Sequence, residues 1–408
     1  MKKIVFIFAL FSIISFQISG QWFQQISGTE FDLYGVSFTD ANNGTAVGDG
    51  GTIIRTTDGG ITWILQTSGT TSSLSCVVFT DSINGTAVGY NGTILRTTDG
   101  GVSWTQQQSG TTEWLWGVSF TDSEIGTVVG ERGIILRTTN GGTSWVPQSS
   151  GTTNTLLSVS FTDSNNGTAV CLDVLRTTNG GDTWVSQNSG ATNWLASTSF
   201  TDSNNGTAVG HGGTIYRTTD GGIVWKLQTS GTTNWLYGVC FSDENYGTAV
   251  GTFGTILRTS DGGATWISQQ SNVVPFNLSA VSFTDSLTGT VVGDQGRIVR
   301  TINGGVTNIE KTIDVMPIEY GLSQNYPNPF NPSTKISWQS PVSSWQTLKV
   351  YDILGNEVAI LVDEYRNAGN YSIEFNPESS IKNPASGVYF YQLRAGDFVE
   401  TKKMILLK

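Results

Sequence analysis

One motif recurs too regularly along this chain for it to fold as anything but a repeat. Phe-Thr-Asp begins at Phe38, Phe79, Phe120, Phe161 and Phe200, becomes Phe-Ser-Asp at Phe241 and returns at Phe283, in steps of 41, 41, 41, 39, 41 and 42 residues. Gly-Thr-(Ala/Val)-Val follows each time, at Gly44, Gly85, Gly126, Gly167, Gly206, Gly247 and Gly289. After it comes Arg-Thr-x-(Asp/Asn)-Gly-Gly, as in RTTDGGITW from Arg55. Periods near 40 residues with glycine-punctuated β segments are the signature of propeller blades.

Within one unit, Leu33 to Thr39, Gly44 to Gly48, Thr52 to Thr56 and Thr62 to Ser68 are short β-prone stretches. Asn-Gly, Asp-Gly or Gly-Gly separates them, and these dipeptides supply the positive φ of tight hairpins. The expected fold is all-β: a seven-bladed propeller with four strands, A to D, in each blade. Such a blade has no core of its own and is covered by its neighbours. With 50 Gly and only 13% charged residues, the composition suits strands better than helices.

Seven tryptophans open the D strands, namely Trp22, Trp63, Trp104, Trp145, Trp184, Trp225 and Trp266, each with Gln three residues later. Trp22 has no turn motif before it, and the seventh motif ends at Asn308 with no Trp. The two half-blades match. The strand from Trp22 is therefore expected to close the seventh blade beside Thr301 to Thr307.

The turn Thr56-x-Asp58-x-Gly60-x-Thr62-Trp63 resembles the Asp-box, or BNR repeat, of sialidases and other propellers. Its acidic or amide position is Asp58, Asp99, Asn140, Asn179, Asp220, Asp261 and Asn303. A carboxylate or amide oxygen there accepts backbone N–H bonds across the turn, which makes the box a structural fastener. The complete repeat over residues 22–308 resembles the photosystem II assembly and stability factor type of seven-bladed propeller, which implies the fold and, as one functional alternative, assistance to complex assembly. The seven arginines before the boxes are expected to pair with the repeated Asp40, Asp81, Asp122, Asp163, Asp202, Asp243 and Asp285.

In a propeller the B–C and D–A loops share one face, and here that face varies. The residue before the aligned leucine is Asp32, Ser73, Trp114, Thr155, Trp194, Trp235 or Asn277; the residue after it is Tyr34, Ser75, Trp116, Leu157, Ala196, Tyr237 or Ser279. Variation against a repeating frame is where function enters a scaffold. The ligand-binding candidates are Trp114, Trp116, Trp194, Trp235, Tyr237, Tyr90, His211 and Phe253, whose rings suit a glycan or an extended peptide.

Catalysis is not expected. With one histidine there is no Ser-His-Asp constellation, and no HExxH or Cys/His cluster exists, so no metal and no cofactor are assigned. A glycan-processing enzyme, sialidase-like or another glycoside hydrolase, is the alternative; it needs two positioned carboxylates, for which Asp49 with Asp294 or Glu113 with Glu131 are the pairs to test. A net charge of −11 without basic runs argues against nucleic acid. Cys76, Cys171 and Cys240 read as small buried strand residues rather than a disulfide framework.

Residues 1–20 have the layout of a secretory signal peptide: Lys2-Lys3, an apolar run from Ile4 to Phe16, then Ser19 and Gly20. That run is too short to span a bilayer, so no transmembrane segment is expected after its removal. The propeller is assigned to residues 21–308, a linker to 309–320 and a second module to 321–408. In that module NYPNPFNPSTKISW, LKVYDILGNEV, NAGNYSIEFN and GVYFYQL follow in order before KKMILLK. They resemble the type A C-terminal sorting domain of the type IX secretion system, a small Ig-like β-sandwich. The resemblance implies engagement of the type IX machinery after Sec export, with delivery to the medium or the outer cell surface. The expected protein is a monomeric, noncatalytic binding or scaffold propeller for a glycan or protein partner.

Overall fold

The computed structural model describes residues 22–187, 189–305, 319–381 and 384–407. It divides into two compact units, Met1–Thr307 and Asn308–Lys408. The proposed signal peptide and most of the linker lie outside the described residues.

The first unit is a ring of seven antiparallel sheets of four strands each. Blade 1 consists of strand A (Leu33–Phe38), B (Gly44–Gly48), C (Ile53–Thr56) and D (Ile64–Gln66). Blades 2, 3, 5 and 6 repeat it, with A strands at Leu74–Phe79, Leu115–Phe120, Leu195–Phe200 and Leu236–Phe241. Blade 4 has a shortened A strand, Ser158–Phe161, and a bend at Cys171–Asp173 in place of the short 3-10 turn found at the other B–C tips.

Blade 7 takes A, B and C from Leu278–Phe283, Gly289–Gly293 and Ile298–Thr301, and its D strand from the other end of the chain. Phe23–Gln25 pairs antiparallel with strand C, Phe23 opposite Arg300 and Gln25 opposite Ile298. Closure is therefore as expected in kind, but the partner is Ile298–Thr301 rather than the segment from Thr301 to Thr307. Strand D hydrogen-bonds to strand C in every blade, and the box that follows strand C is the turn to D, not a partner strand. Trp22 is 1% exposed, and its indole N–H donates to Gln269 Oε1 of blade 6 at 2.8 Å.

The repeated motifs each acquire a physical reason. The Phe of strand A lies across the first residue of strand B, so that a Cβ at Gly44 would stand 2.3 Å from the Phe38 ring. The same ring meets its own blade's tryptophan edge-on, Phe38 and Trp63 having centroids 5.9 Å apart at 84°. In the box, Asp58 Oδ1 accepts the Thr62 N–H at 2.9 Å and Oδ2 accepts the Thr62 hydroxyl at 2.6 Å, while Thr56 Oγ1 accepts the Gly60 N–H at 2.8 Å. Asn140 and Asn179 hold the corresponding N–H groups of Ser144 and Thr183. The seventh box beyond Gly305, including Asn308, lies outside the described residues.

The arginines do not pair with the repeated aspartates. Arg96 donates to Thr86 Oγ1 at 3.0 Å and to the Ser123 carbonyl of the next blade at 2.8 Å, with its guanidinium 5.3 Å from the centre of the Phe120 ring. Arg137, Arg176, Arg217, Arg258 and Arg300 repeat this arrangement. Each aspartate instead caps its own A–B turn: Asp40 Oδ1 accepts the N–H groups of Asn42 and Asn43 at 2.7 and 2.9 Å. The same two-bond cap at Asp163 and Asp202 makes the TDSNNG stretches ordinary hairpin turns.

All three cysteines are free thiols. Cys240 stands where five other blades have a serine whose hydroxyl accepts the N–H of the next blade's Phe, as Ser37 does for Phe79.

The second unit is a β-sandwich. Its four-stranded sheet runs in the order Glu357–Arg366, Ser344–Tyr351, Gly387–Ala395 and Phe398–Leu406; its three-stranded sheet joins Gly321–Leu322, Thr334–Ser340 and Gly369–Phe375. Ile336, Trp338, Phe375, Tyr391, Leu393 and Met404 are in its core. The GVYFYQL strand buries Tyr389, Tyr391 and Leu393 and turns the alternate residues outward, as a period of two requires.

Two outcomes follow for stability. Trp22→Ala should lower unfolding free energy by about 3–5 kcal/mol, the usual cost of emptying a buried aromatic site, and deleting Trp22–Ser27 should lower the melting temperature further by opening the ring; calorimetry checks both. Asp58, Asp99 and Asp261 are held down to about 2, first by the hydroxyl at the end of the box and then by the backbone N–H beside it. A carboxyl depressed in the folded state stabilises above its ordinary value of 3.8 and loses that contribution as pH falls toward 2. Across that window the melting temperature of the wild-type chain should fall more steeply than that of the Asp58→Asn, Asp99→Asn, Asp261→Asn triple variant.

Candidate functional site

The varied face owes its geometry to a kink in strand A. Between Leu33 and Gly35 the register with strand B slips by one residue, leaving Tyr34 as the extra residue of a β-bulge. The slip recurs at Ser75, Trp116, Ala196, Tyr237 and Ser279. A bulge re-aims the residue it leaves unpaired, and all six of these residues line one cavity at the mouth of the central channel. Blade 4 has no bulge and contributes Leu157, whose N–H is tied to Val170 O. Seven blades thus place seven side chains of five kinds around one space of about 550 Å³.

A second regularity brings the other varied positions alongside. The tip residue of each B–C turn donates its N–H to the carbonyl of the residue before the aligned leucine: Asp49 to Asp32, Tyr90 to Ser73, Glu131 to Trp114, His211 to Trp194, Thr252 to Trp235 and Asp294 to Asn277. Gly48 must be glycine for this crossing, because a Cβ there would stand 1.9 Å from Asp32 O. The tip side chains then reach the following blade. The His211 and Trp235 rings are 4.0 Å apart, and Tyr90 meets Trp114 edge-on at 5.2 Å.

The structure therefore divides the eight aromatic candidates. Trp116, Trp194, Trp235, Tyr237 and His211 line the cavity. Trp194 and Trp235 keep 59% and 46% of their surface exposed, which is far more than the buried strand-D tryptophans keep. Trp114 and Tyr90 stand behind this wall: Trp114 stacks on Trp116 at 4.2 Å and 15°, and its indole N–H donates to Ser75 Oγ at 2.7 Å. Phe253 is exposed on its tip, with a φ of 56°, and does not line the cavity.

Tyr34, Asn277 and Asp294 also line it, and none of them was among the aromatic ligand-binding candidates, although Asp294 stood in a carboxylate pair. Tyr34 and Asn277 sit in the varied columns beside the aligned leucine, and Asp294 at a B–C tip. Asp49 Oδ2 accepts the Tyr34 hydroxyl at 3.0 Å and its Oδ1 accepts Ser73 Oγ at 2.8 Å. Asp294 Oδ2 accepts the Asn277 N–H at 3.0 Å, and Asp32 Oδ1 accepts the Gln295 N–H at 2.7 Å. Burial, then the hydrogen bond to Asp49, then the charges of Asp49, Asp32 and Asp294 push the Tyr34 phenol above its usual range; burial and Asp294 do the same to Tyr237.

Two arginines on this face, Arg132 and Arg297, have partners of their own. Arg132 lies 3.6 Å from Glu113, and the Arg297 guanidinium lies 3.8 Å from the Phe276 ring centre. Among the described residues no group of His, Cys, Asp and Glu is arranged to hold a metal ion. A cleft of about 550 Å³ on the opposite face, between blades 5 and 6, is lined by Asp-box and turn residues of the kind the repeat places at every junction. The channel mouth is built from the positions that vary.

Ring, boxes and tail together define an Asp-box β-propeller joined to a separate β-sandwich module. The family described as photosynthesis system II assembly factor YCF48 matches residues 64–150 and 224–305, and the secretion system C-terminal sorting domain matches residues 324–407. The first unit is thus a propeller with a family match to the YCF48 type over part of its blades, and the second matches a sorting domain that indicates type IX secretion and a secreted or cell-surface location. Among solved structures, YCF48 from Cyanidioschyzon merolae is 24% identical with a TM-score of 0.59, covering 69% of this chain and 98% of that one. YCF48 bound to D1 peptide is 23% identical with a TM-score of 0.60, covering 69% of this chain and 97% of that one. The WD40 propeller domain of Doa1 is 14% identical at a TM-score of 0.57, covering 71% and 97%, so the ring architecture outlasts sequence similarity. No curated protein matches the sequence.

The charge around the tyrosines is open to direct measurement. Removing an anion beside a phenol lowers its pKa. In an ultraviolet-monitored tyrosinate titration, Asp294→Asn should bring the transitions of Tyr34 and Tyr237 down, and Tyr34→Phe should remove one of the two.

Proposed function

We propose that this protein is a noncatalytic binding propeller, exported through the Sec and type IX routes, which holds an extended segment of a protein partner at the mouth of its central channel. The observation that carries this reading is the cavity itself, which every blade lines through a position that varies along the ring while the opposite face repeats. Exposed Trp194 and Trp235 are flat, amphipathic contact surfaces of the kind that bind with little loss of side-chain freedom. A glycan would use the same rings. The peptide reading is favoured because a propeller of the same type and ring fold is described as bound to a peptide.

Chemical turnover is not part of the proposal. Asp49, in one of the two carboxylate pairs considered, has both oxygens engaged by Tyr34 and Ser73, and Glu113, in the other, lies beside Arg132. A glycosidase needs one carboxyl free to give a proton and another free to attack or to activate water.

Peptide and glycan arrays probed with the mature chain test the reading, alongside a folded Trp116→Ala, Trp194→Ala, Trp235→Ala variant. Peptide binding lost in the variant is the expected result; glycan binding alone would replace the peptide partner. Deleting Tyr320–Lys408 should retain the propeller in the periplasm, measured by fractionation, and unchanged secretion would refute the sorting role.

A further inference from the structure

The charge at the channel mouth narrows what this site can take, an inference that rests on the peptide-binding reading above. Three consecutive blades gather its polar side. Blade 6 supplies Tyr237, blade 7 supplies Asp294, and blade 1 supplies Tyr34 with Asp49 hydrogen-bonded to its hydroxyl. Asp32 joins the same arc through its bond to the backbone N–H of Gln295, the neighbour of Asp294.

No lysine or arginine lines the cavity. The two arginines of this face are held by Glu113 and by the Phe276 ring. Asp294 uses one carboxylate oxygen on the Asn277 N–H, and its other oxygen accepts no hydrogen bond among the described residues. Burial first, and then the charge of Asp294 among others, raises the pKa of both Tyr34 and Tyr237. Beside this arc stands Trp235 of blade 6, nearly half exposed, with its edge toward Tyr237. Anionic segments, acidic sugars and phosphates meet repulsion here, whereas a cation meets both a carboxylate and the negative face of an indole ring.

We propose that the channel mouth recognises a basic side chain, lysine or arginine, presented by an extended peptide, with its charge against Asp294 and its aliphatic stem along Trp235 and Tyr237. Asp49 and Asp32 then serve as a standing negative field behind the contact. The remaining aromatic wall, Trp116 and Trp194, takes the flanking residues of the peptide. Long basic side chains suit such a site because their stems are apolar and only their tips are charged.

The test uses the mature full-length chain and capped hexapeptides that differ at one central position, Lys, Arg, Gln or Glu, with binding read by calorimetry and tryptophan fluorescence. Lys and Arg peptides should bind roughly tenfold more tightly than the Gln peptide, and the Glu peptide most weakly of all. Asp294→Asn keeps an acceptor for the Asn277 N–H and so should fold, as an unchanged melting temperature would verify; it should weaken the Lys peptide about tenfold while leaving the Gln peptide alone. Raising salt well above 0.1 M, where the screening length is about 10 Å, should weaken the same peptides selectively. Equal binding of Gln or Glu peptides, or indifference to Asp294→Asn in a folded variant, would overturn the cationic preference while leaving a peptide site in place. Failure of every peptide to bind would overturn the peptide site and this inference with it.

Discussion

The contact on which everything else depends runs from each blade to the next. A four-stranded blade buries its faces only against its neighbours, and here the junctions are reinforced by up to three kinds of polar link, all pointing forward along the ring. Near the channel, a serine hydroxyl accepts the next blade's Phe N–H, as Ser37 does for Phe79. Farther out, an arginine reaches the next blade's A–B turn and the face of its Phe. At the rim of four junctions, the strand-D glutamine takes the next tryptophan's N–H and gives its own amide to the Asp-box carbonyl, as Gln25 does with Trp63 and Gly59. Because the links have one direction, the last blade must bind the first, and Ser282, Arg300 and Gln25 do so.

These links explain why arginines sit buried without carboxylate partners. A guanidinium that donates to a hydroxyl and a carbonyl while resting on an aromatic ring is satisfied without an ion pair, although burial pushes its pKa down. The aspartates are thereby left to cap their own turns. A network of neutral acceptors avoids the desolvation of paired charges, which in a buried setting can exceed the Coulombic gain.

The same frame frees the channel mouth to vary. The aligned leucines are fully buried and hold strand A in place; the bulge immediately after each one turns a single residue into the channel without disturbing the ladder on either side. Tyr, Ser, Trp and Ala therefore all occur at that residue while the leucine before it repeats. Export and sorting are likewise decoupled from the ring, because the C-terminal sandwich has its own core around Trp338 and Tyr391.

The sequence by itself determined the number of blades, the four strands in each, the borrowed first strand and the sorting module, because each of these is written as a local pattern repeated often enough to serve as its own alignment. It also marked the varied columns that hold Trp116, Trp194, Trp235 and Tyr237. Tertiary structure alone decided what the arginines bind, since a backbone carbonyl in the next blade leaves no trace in residue identity. It alone put Trp114 and Tyr90 behind the wall and left Phe253 outside it. And it alone drew Asp294, Tyr237 and Tyr34 into one arc, because closing a ring makes neighbours of residues whose separation along the chain says nothing of their proximity.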